Sequence, residues 1–277
     1  MKTTPASDLS LACQAAKRRL VSARGDPFLL TDWENVVFLH FLIEPELLRS
    51  QVPRPFALEL YEGQACISLI ALTMRRFRPC RRLSLGWIFR PVREQRFLNL
   101  RTYVHCDGEP GALFLRGWLS APFPMRLPSA MFGLPYCFAS LNYQHDIEKG
   151  TLGGVASTAP GSHHFGYRAP VSTPLVLEHC PAGSLAEFAM ERYTGFFCCR
   201  DKPFVFRAWH PPWLQTSIDA TIEDGGLITQ KFPWFKEAKL ASANFAPGFP
   251  EVWLGQSHRV HSKHGRQRVL SAFYEMP

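Results

Sequence analysis

Phe97-Leu98-Asn99-Leu100-Arg101-Thr102-Tyr103-Val104-His105, with the turn residues Asp107-Gly108-Glu109-Pro110-Gly111 and the returning run Ala112 to Trp118, is the stretch on which the fold turns. Side chains along a strand alternate between two faces. Leu98, Leu100, Thr102 and Val104 therefore share one face, and Asn99, Arg101, Tyr103 and His105 share the other. The first face predicts packing on a core. The second carries an amide, a guanidinium, a phenol and an imidazole, so it meets either solvent or, in a sheet closed on itself, a polar cavity. Two roles are open to Arg101: pairing with an acid on a neighbouring strand, or holding an anion inside such a cavity.

Outward from this hairpin, apolar patterning predicts further elements. Trp33 to Phe41 carries Val36, Val37, Phe38, Leu39 and Phe41 around one histidine, His40, and reads as a buried strand. Glu44-Pro45-Glu46-Leu47-Leu48 reads as a short helix with an early proline, stopped by Val52-Pro53. Leu58 and Leu60 lead through Tyr61-Glu62-Gly63-Gln64 into the long run Ala65 to Met74, a hairpin with glycine in its turn. Leu83 to Pro91, interrupted by Gly86, reads as an excursion or edge strand. Met131, Leu134, Phe138 and Leu141 are spaced for a helix over Pro128 to Leu141, opened by Pro135 with Tyr136 in its first turn. A second helix starts at Gly183-Ser184-Leu185-Ala186-Glu187, where the Ser-x-x-Glu pattern caps the chain, and ends near Glu191-Arg192-Tyr193. Phe196 to Cys199, Phe204 to His210 and Ile218 to Ile222 read as strands, and Ala246-Pro247-Gly248-Phe249-Pro250 as a loop. Many short strands with few helices predict an α+β, mainly antiparallel fold. No phosphate-loop glycine motif is present, and no cofactor is expected.

With 277 residues, 46% hydrophobic and 13% aromatic, the chain can bury a large core. Aromatic residues run from Trp33 to Trp253 without a polar gap, so one domain over residues 27–260 is expected, between a flexible or helical tail at 1–26 and a basic tail at 261–277. No run reaches the roughly 20 apolar residues of a membrane span, and no secretory signal is recognisable, so a cytoplasmic protein with no membrane contact is expected. Eight cysteines show no paired spacing, and Cys198-Cys199 has no neighbouring spaced histidines; reduced thiols and no metal follow. The formal charge of +8 draws on Arg75, Arg76, Arg78, Arg81, Arg82, Arg90, Arg93 and Arg96. That cluster serves either as a solvated loop between strands or as a phosphate contact. No nucleic-acid-binding motif accompanies it, which disfavours a nucleic-acid partner. Oligomeric state is left open by the sequence.

Taken in order, Trp33 with Phe38-Leu39-His40, Leu47-Leu48 with Val52-Pro53, Asn99 to Val104, Gly111-Ala112-Leu113-Phe114, Leu134-Pro135-Tyr136, Glu191-Arg192-Tyr193, His210-Pro211-Pro212-Trp213 and Phe245 to Gly248 resemble the YqjF-like family, the domain of unknown function DUF2071. That family resembles a distant branch of the acetoacetate decarboxylases. The resemblance implies an antiparallel sheet closed into a barrel or cone around a pocket, with a few flanking helices. Two departures matter. In the family pattern an acid often stands two positions before the strand asparagine, where this chain has Phe97; a carboxylate partner for Arg101 would have to be Glu191 or Glu178. In the decarboxylases a nucleophilic lysine lies in a Gly-aromatic-Pro-Lys-Lys segment, but Gly133-Leu134-Pro135-Tyr136-Cys137-Phe138-Ala139 holds Tyr136 and Cys137 instead. No lysine occurs between Arg18 and Glu148, and Lys149, Lys202, Lys231, Lys236 and Lys239 lie in polar surroundings that read as surface. A phenol cannot form an iminium.

The candidate ligand site is Arg101 with Asn99, Tyr103, Tyr136, Arg192 and His210. A planar guanidinium fork holds a carboxylate, while the phenols and the amide orient its neighbours. Each also has a plainer role: Tyr136 as a backbone cap, Arg192 in a helix-end ion pair, His210 as a satisfied structural histidine rather than a general base, Cys137 as an inert buried thiol rather than a nucleophile. No residue is assigned a catalytic role. The chain is expected to bind a small oxo or carboxylic metabolite without Schiff-base chemistry, as an enzyme or as a noncatalytic binder.

Overall fold

Strands with one set of side chains turned inward and the other outward build the wall of this protein. The computed structural model describes residues 10–23, 26–80, 94–120, 134–158 and 163–260. In chain order the elements are α1 (Leu11–Ser22), β1 (Leu29–Ile43), α2 (Pro45–Arg49), β2 (Ala57–Leu58), β3 (Leu60–Tyr61), β4 (Gln64–Pro79), β5 (Glu94–Cys106) and β6 (Glu109–Leu119). Next come β7 (Tyr136–Phe138), β8 (Ser140–Asp146), β9 (Thr151–Ser157), β10 (His164–Pro170), β11 (Glu178–His179), α3 (Leu185–Met190) and β12 (Thr194–Cys199). The last are β13 (Lys202–Trp209), β14 (Leu214–Ser217), β15 (Thr221–Asp224), a 3-10 helix at Pro233–Glu237, β16 (Lys239–Leu254) and β17 (His258–Arg259).

β16, β1, β4, β5 and β6 form a continuous antiparallel run. β12 joins β6 in parallel, β13 pairs with β12, and β13 returns to β16, so the strands close on themselves. The closure is a ring rather than a regular barrel, because two of its seams are short. Gly195 and Phe196 partner Ala112 and Leu113 between β12 and β6, and Ala208 and Trp209 partner Leu254 and Trp253 between β13 and β16. A second antiparallel sheet, β15-β10-β9-β8, covers the outside of the ring. There Leu141, Leu152, Phe165 and Tyr167 pack in one core with Val37, Leu39, Leu69 and Leu100. The inner face of the same wall carries Val36, Phe38, Ile70, Leu72 and Phe97 beside Trp213. Strands buried on both faces must be apolar at successive positions, which accounts for the nearly unbroken run Ala65 to Leu72. The α+β, mainly antiparallel class expected from the sequence is the class observed.

Local signals place several elements correctly. Glu62 and Gly63 turn between β3 and β4 with φ of 48° and 81°, a conformation that glycine adopts without cost. Ser184 Oγ accepts from Glu187 N at 3.1 Å, and Glu187 Oε2 accepts from Gly183 N at 2.7 Å, which satisfies two free donors at the start of α3.

Other expectations are corrected. The described part of the helix expected over Pro128 to Leu141 is strand: Tyr136–Phe138 is β7, parallel to β6, and Ser140 begins β8. β12 takes only the first half of β6's outer edge, and Gly117 N donates to Pro135 O while Ala139 N donates to Leu119 O, both at 3.0 Å. An unpaired strand edge thus outcompetes helical spacing. Ala246 to Pro250 is not a loop but the middle of β16, with Trp33 opposite Phe249 and Glu34 opposite Gly248. At Gly248, φ is +97° and any Cβ would collide with Trp33 O, so the glycine permits close backbone approach rather than ending the strand. Ile218 to Ile222 is not one strand either; β14 ends at Ser217 in the large sheet and β15 starts at Thr221 in the second. Leu83 to Pro91, Gly133 and residues 261–277 lie outside the described residues.

Candidate functional site

Inward-facing residues enclose a cavity of about 120 Å³. Asn99 and Arg101 enter it from successive inward positions of β5, Tyr136 from β7, and Arg192 and His210 from the segments that follow α3 and β13. Tyr103 does not line it. On β6 the register slips, Leu100 facing Arg116 but Arg101 facing Phe114, so Leu115 is an extra residue. This bulge turns both Phe114 and Gly117 inward although an odd number of positions separates them. Gly117 is where Tyr136 rests: a Cβ there would fall on the Tyr136 ring and lie 3.2 Å from Asn99 Oδ1.

Arg101 is half-buried. Its Nη2 donates to Ala189 O at the C-terminal end of α3 at 2.9 Å, and its Nε is buried without a hydrogen-bond partner. Among the described residues it makes no ion pair with a carboxylate. Neither acid that might have neutralised it does so. Glu191 accepts from Trp213 N at 2.8 Å and from the Tyr193 hydroxyl, and Glu178 is exposed on β11. Arg192, by contrast, is compensated: its Nη1 and Nη2 donate to the two carboxylate oxygens of Glu59 at 2.8 and 3.2 Å. No Asp, Glu or Lys stands among the described residues that line the cavity, so Arg101 leaves it with one unbalanced positive charge.

Tyr103 acts one layer behind. Its hydroxyl lies 2.6 Å from Ser68 Oγ, which lies 2.7 Å from His40 Nδ1, and all three residues are fully buried. The Arg101 and Arg192 guanidiniums lie 5.6 and 5.4 Å from its ring centroid. Burial, with a smaller effect of Arg101, lowers the His40 pKa to about 3. The His40–Ser68 contact was missed in the sequence, although the signal was present: His40 interrupts one apolar run, and Ser68 sits on the inward parity of another.

His210 is caged by aromatic rings, stacked on Phe249 with centroids 5.1 Å apart and packed against Trp213 at 4.8 Å and Tyr193 at 4.9 Å. Its Nδ1 lies 2.7 Å from Pro211 O. A carbonyl can only accept, so Nδ1 carries the proton and Nε2 keeps its lone pair. Burial lowers its pKa to about 4, with the Pro211 carbonyl opposing and Arg101 adding to the fall. Tyr136 is half-buried, its pKa raised by loss of contact with water, and its hydroxyl makes no hydrogen bond among the described residues. Asn99 Oδ1 and the indole Nε1 of Trp33, which also lines the cavity, are likewise buried without partners.

The remaining candidates fall outside the cavity. Cys137 Sγ lies 3.4 Å from Gly117 O, and burial pushes its thiol up, the wrong direction for a nucleophile. Lys149, Lys202, Lys231, Lys236 and Lys239 are all exposed. In the arginine cluster, Arg75 pairs with Glu34 and Glu94, Arg76 and Arg78 with Asp32, and Arg96 with Glu94; its other four members lie outside the described residues.

Comparison with known proteins agrees with this architecture. The model of the DUF2071 family, described as an uncharacterized conserved protein, matches residues 31–250. The uncharacterized protein YqjF of Bacillus subtilis (strain 168) is 31% identical over 193 residues, which cover 69% of this chain and 76% of YqjF. An acetoacetate decarboxylase-like enzyme from Sphingomonas wittichii RW1 has a solved structure that matches with a TM-score of 0.60 at 12% identity, over 86% of this chain and 94% of its own. MppR, an enduracididine biosynthesis enzyme complexed with the condensation product of pyruvate and imidazole 4-carboxaldehyde, matches with a TM-score of 0.61 at 14% identity, over 83% and 88%. At these identities the two structures share the fold of this chain.

Proposed function

The chain belongs to the DUF2071 family, and from that membership and its cavity we propose that it binds a small oxo or carboxylic metabolite, with Arg101 anchoring the carboxylate. One observation carries the reading: a half-buried guanidinium lines the cavity with no carboxylate among the described residues to balance it. An unpaired charge away from water is costly, and a bound carboxylate supplies both the missing charge and the missing acceptors. Tyr136 and Asn99 offer a hydroxyl and an amide on the same wall. The pyruvate-derived ligand of MppR is consistent with an oxo-acid pocket on this fold.

Schiff-base decarboxylation receives no support, because no lysine of the described residues lines the cavity. The phenol that stands in the lysine's segment has no route to an iminium.

Arg101→Met tests the anchor. Removing a charge-assisted hydrogen bond should weaken pyruvate or acetoacetate binding about tenfold to a hundredfold, measured by calorimetry, with the far-ultraviolet dichroism unchanged. Unchanged affinity in a folded variant would remove Arg101 from the site.

Turnover is a separate question from binding, and a noncatalytic binder is the simpler reading. With pKa values of about 3 and 4, neither His40 nor His210 holds a proton to donate at neutral pH, and each is a weak base. Release of product from a bound oxo acid would count against that reading.

A further inference from the structure

We propose that the preferred ligand is a monocarboxylate with an apolar body no larger than about one six-membered ring, benzoate being the simplest probe of that class. The inference rests on the carboxylate reading of Arg101 and adds the number of charges and the nature of the rest of the molecule.

Charge count comes first. Arg101 and Arg192 are the two arginines lining the cavity among the described residues, and Glu59 already neutralises Arg192 through two hydrogen bonds. One cation remains for the ligand. A second carboxylate would enter without a partner, at the cost of burying an uncompensated charge.

The walls decide the rest. Gln95, Tyr193 and Thr194 also line the cavity, but they hydrogen-bond to Ser120, Glu191 and Glu109. Beyond these and the polar patch of Asn99, Arg101, Tyr136 and His210, the lining is built mostly from apolar side chains such as Phe38, Leu72, Phe97, Phe114, Leu119 and Trp213. These carry no acceptor for a sugar hydroxyl or an ammonium, so a polyhydroxylated or zwitterionic acid would lose hydrogen bonds to water and regain few. An apolar body gains by leaving water and by facing aromatic rings. The scale is set by the cavity volume of about 120 Å³, somewhat below the roughly 150 Å³ of a cavity that admits benzene, so a single ring is the upper limit.

The decisive comparison uses the full wild-type chain and four probes, benzoate, benzamide, acetate and phthalate, titrated by calorimetry or ligand-observed NMR. Benzoate should bind about tenfold or more tightly than benzamide, which has the same ring without the charge. It should also bind about tenfold or more tightly than acetate, which has the charge without the ring. Phthalate should bind more weakly than benzoate. In Arg101→Met the benzoate preference over benzamide should vanish; if that variant fails to fold, the wild-type ratios stand on their own. Equal binding of acetate and benzoate, both better than benzamide, would overturn the apolar-body inference while leaving the carboxylate anchor intact. Equal binding of benzamide and benzoate would overturn the anchor itself. Phthalate binding as tightly as benzoate would overturn the single-charge inference, and failure of all four probes would overturn both readings.

Discussion

At the scale of single residues, Gly117 gives Tyr136 its place. The ring of Tyr136 occupies the space that any side chain on β6 would need, so Gly117→Ala should cost about 1–3 kcal/mol in chemical denaturation through overpacking. Tyr136→Phe should behave oppositely. Its hydroxyl has no described partner to lose, and the stability change should stay within about 0.5 kcal/mol. A pair of melting curves separates the two. Asn99, Arg101 and their face were legible in the sequence because a period of two needs no knowledge of the partner strand. Tyr103 shares that parity, yet it is drawn out of the cavity lining to Ser68, 35 residues away. His40, Ser68 and Tyr103 meet only through sheet pairing, so the sequence shows each polar interruption of an apolar run but not that the three meet.

At the scale of elements, α1 closes the weaker part of the wall. The β13–β16 seam rests on two residue pairs, and Cys13, Ala16 and Leu20 pack over its neighbourhood with Tyr193 and Trp209. Lys17 Nζ lies 4.0 Å from the Trp209 ring centroid and 4.7 Å from that of Trp253, one ring on each side of the seam. Leu20→Ala, which empties a fully buried position, should cost about 2–5 kcal/mol. Amide exchange should rise first along the β13–β16 pairs while the long β1–β4 ladder stays protected. Elements with their own punctuation, such as the Ser184 cap and the Glu62-Gly63 turn, could be read directly. β7 could not: Leu134, Phe138 and Leu141 satisfy helical spacing, and only the half-open edge of β6 decides for strand. The glycine and prolines of Ala246 to Pro250 misled for a related reason, since what they accommodate is the approach of Trp33 on another strand.

At the scale of the whole molecule, neutral histidines largely withdrawn from water set the response to acid. His40, His145 and His210 have pKa values lowered by burial to about 3, 4 and 4, against 6.5 in an unfolded chain. Below that value protons bind the unfolded chain and not the folded one. The stability these groups contribute is therefore complete above about pH 6.5 and lost as pH falls toward 4, by roughly 1.4 kcal/mol per unit for each histidine. Glu191, whose carboxyl is raised by burial, works in the opposite sense and softens the acid end. Urea midpoints at pH 7.5 and 5.0, with the three histidines changed singly to Gln, should show the shared loss shrinking in each variant. The position of the described lysines outside the cavity has a consequence of another kind. An oxo acid inside the ring meets no described amine, so its stay leaves no covalent trace. Occupancy is then a reversible quantity, fixed by free concentration and dissociation rate, and it is erased by dialysis.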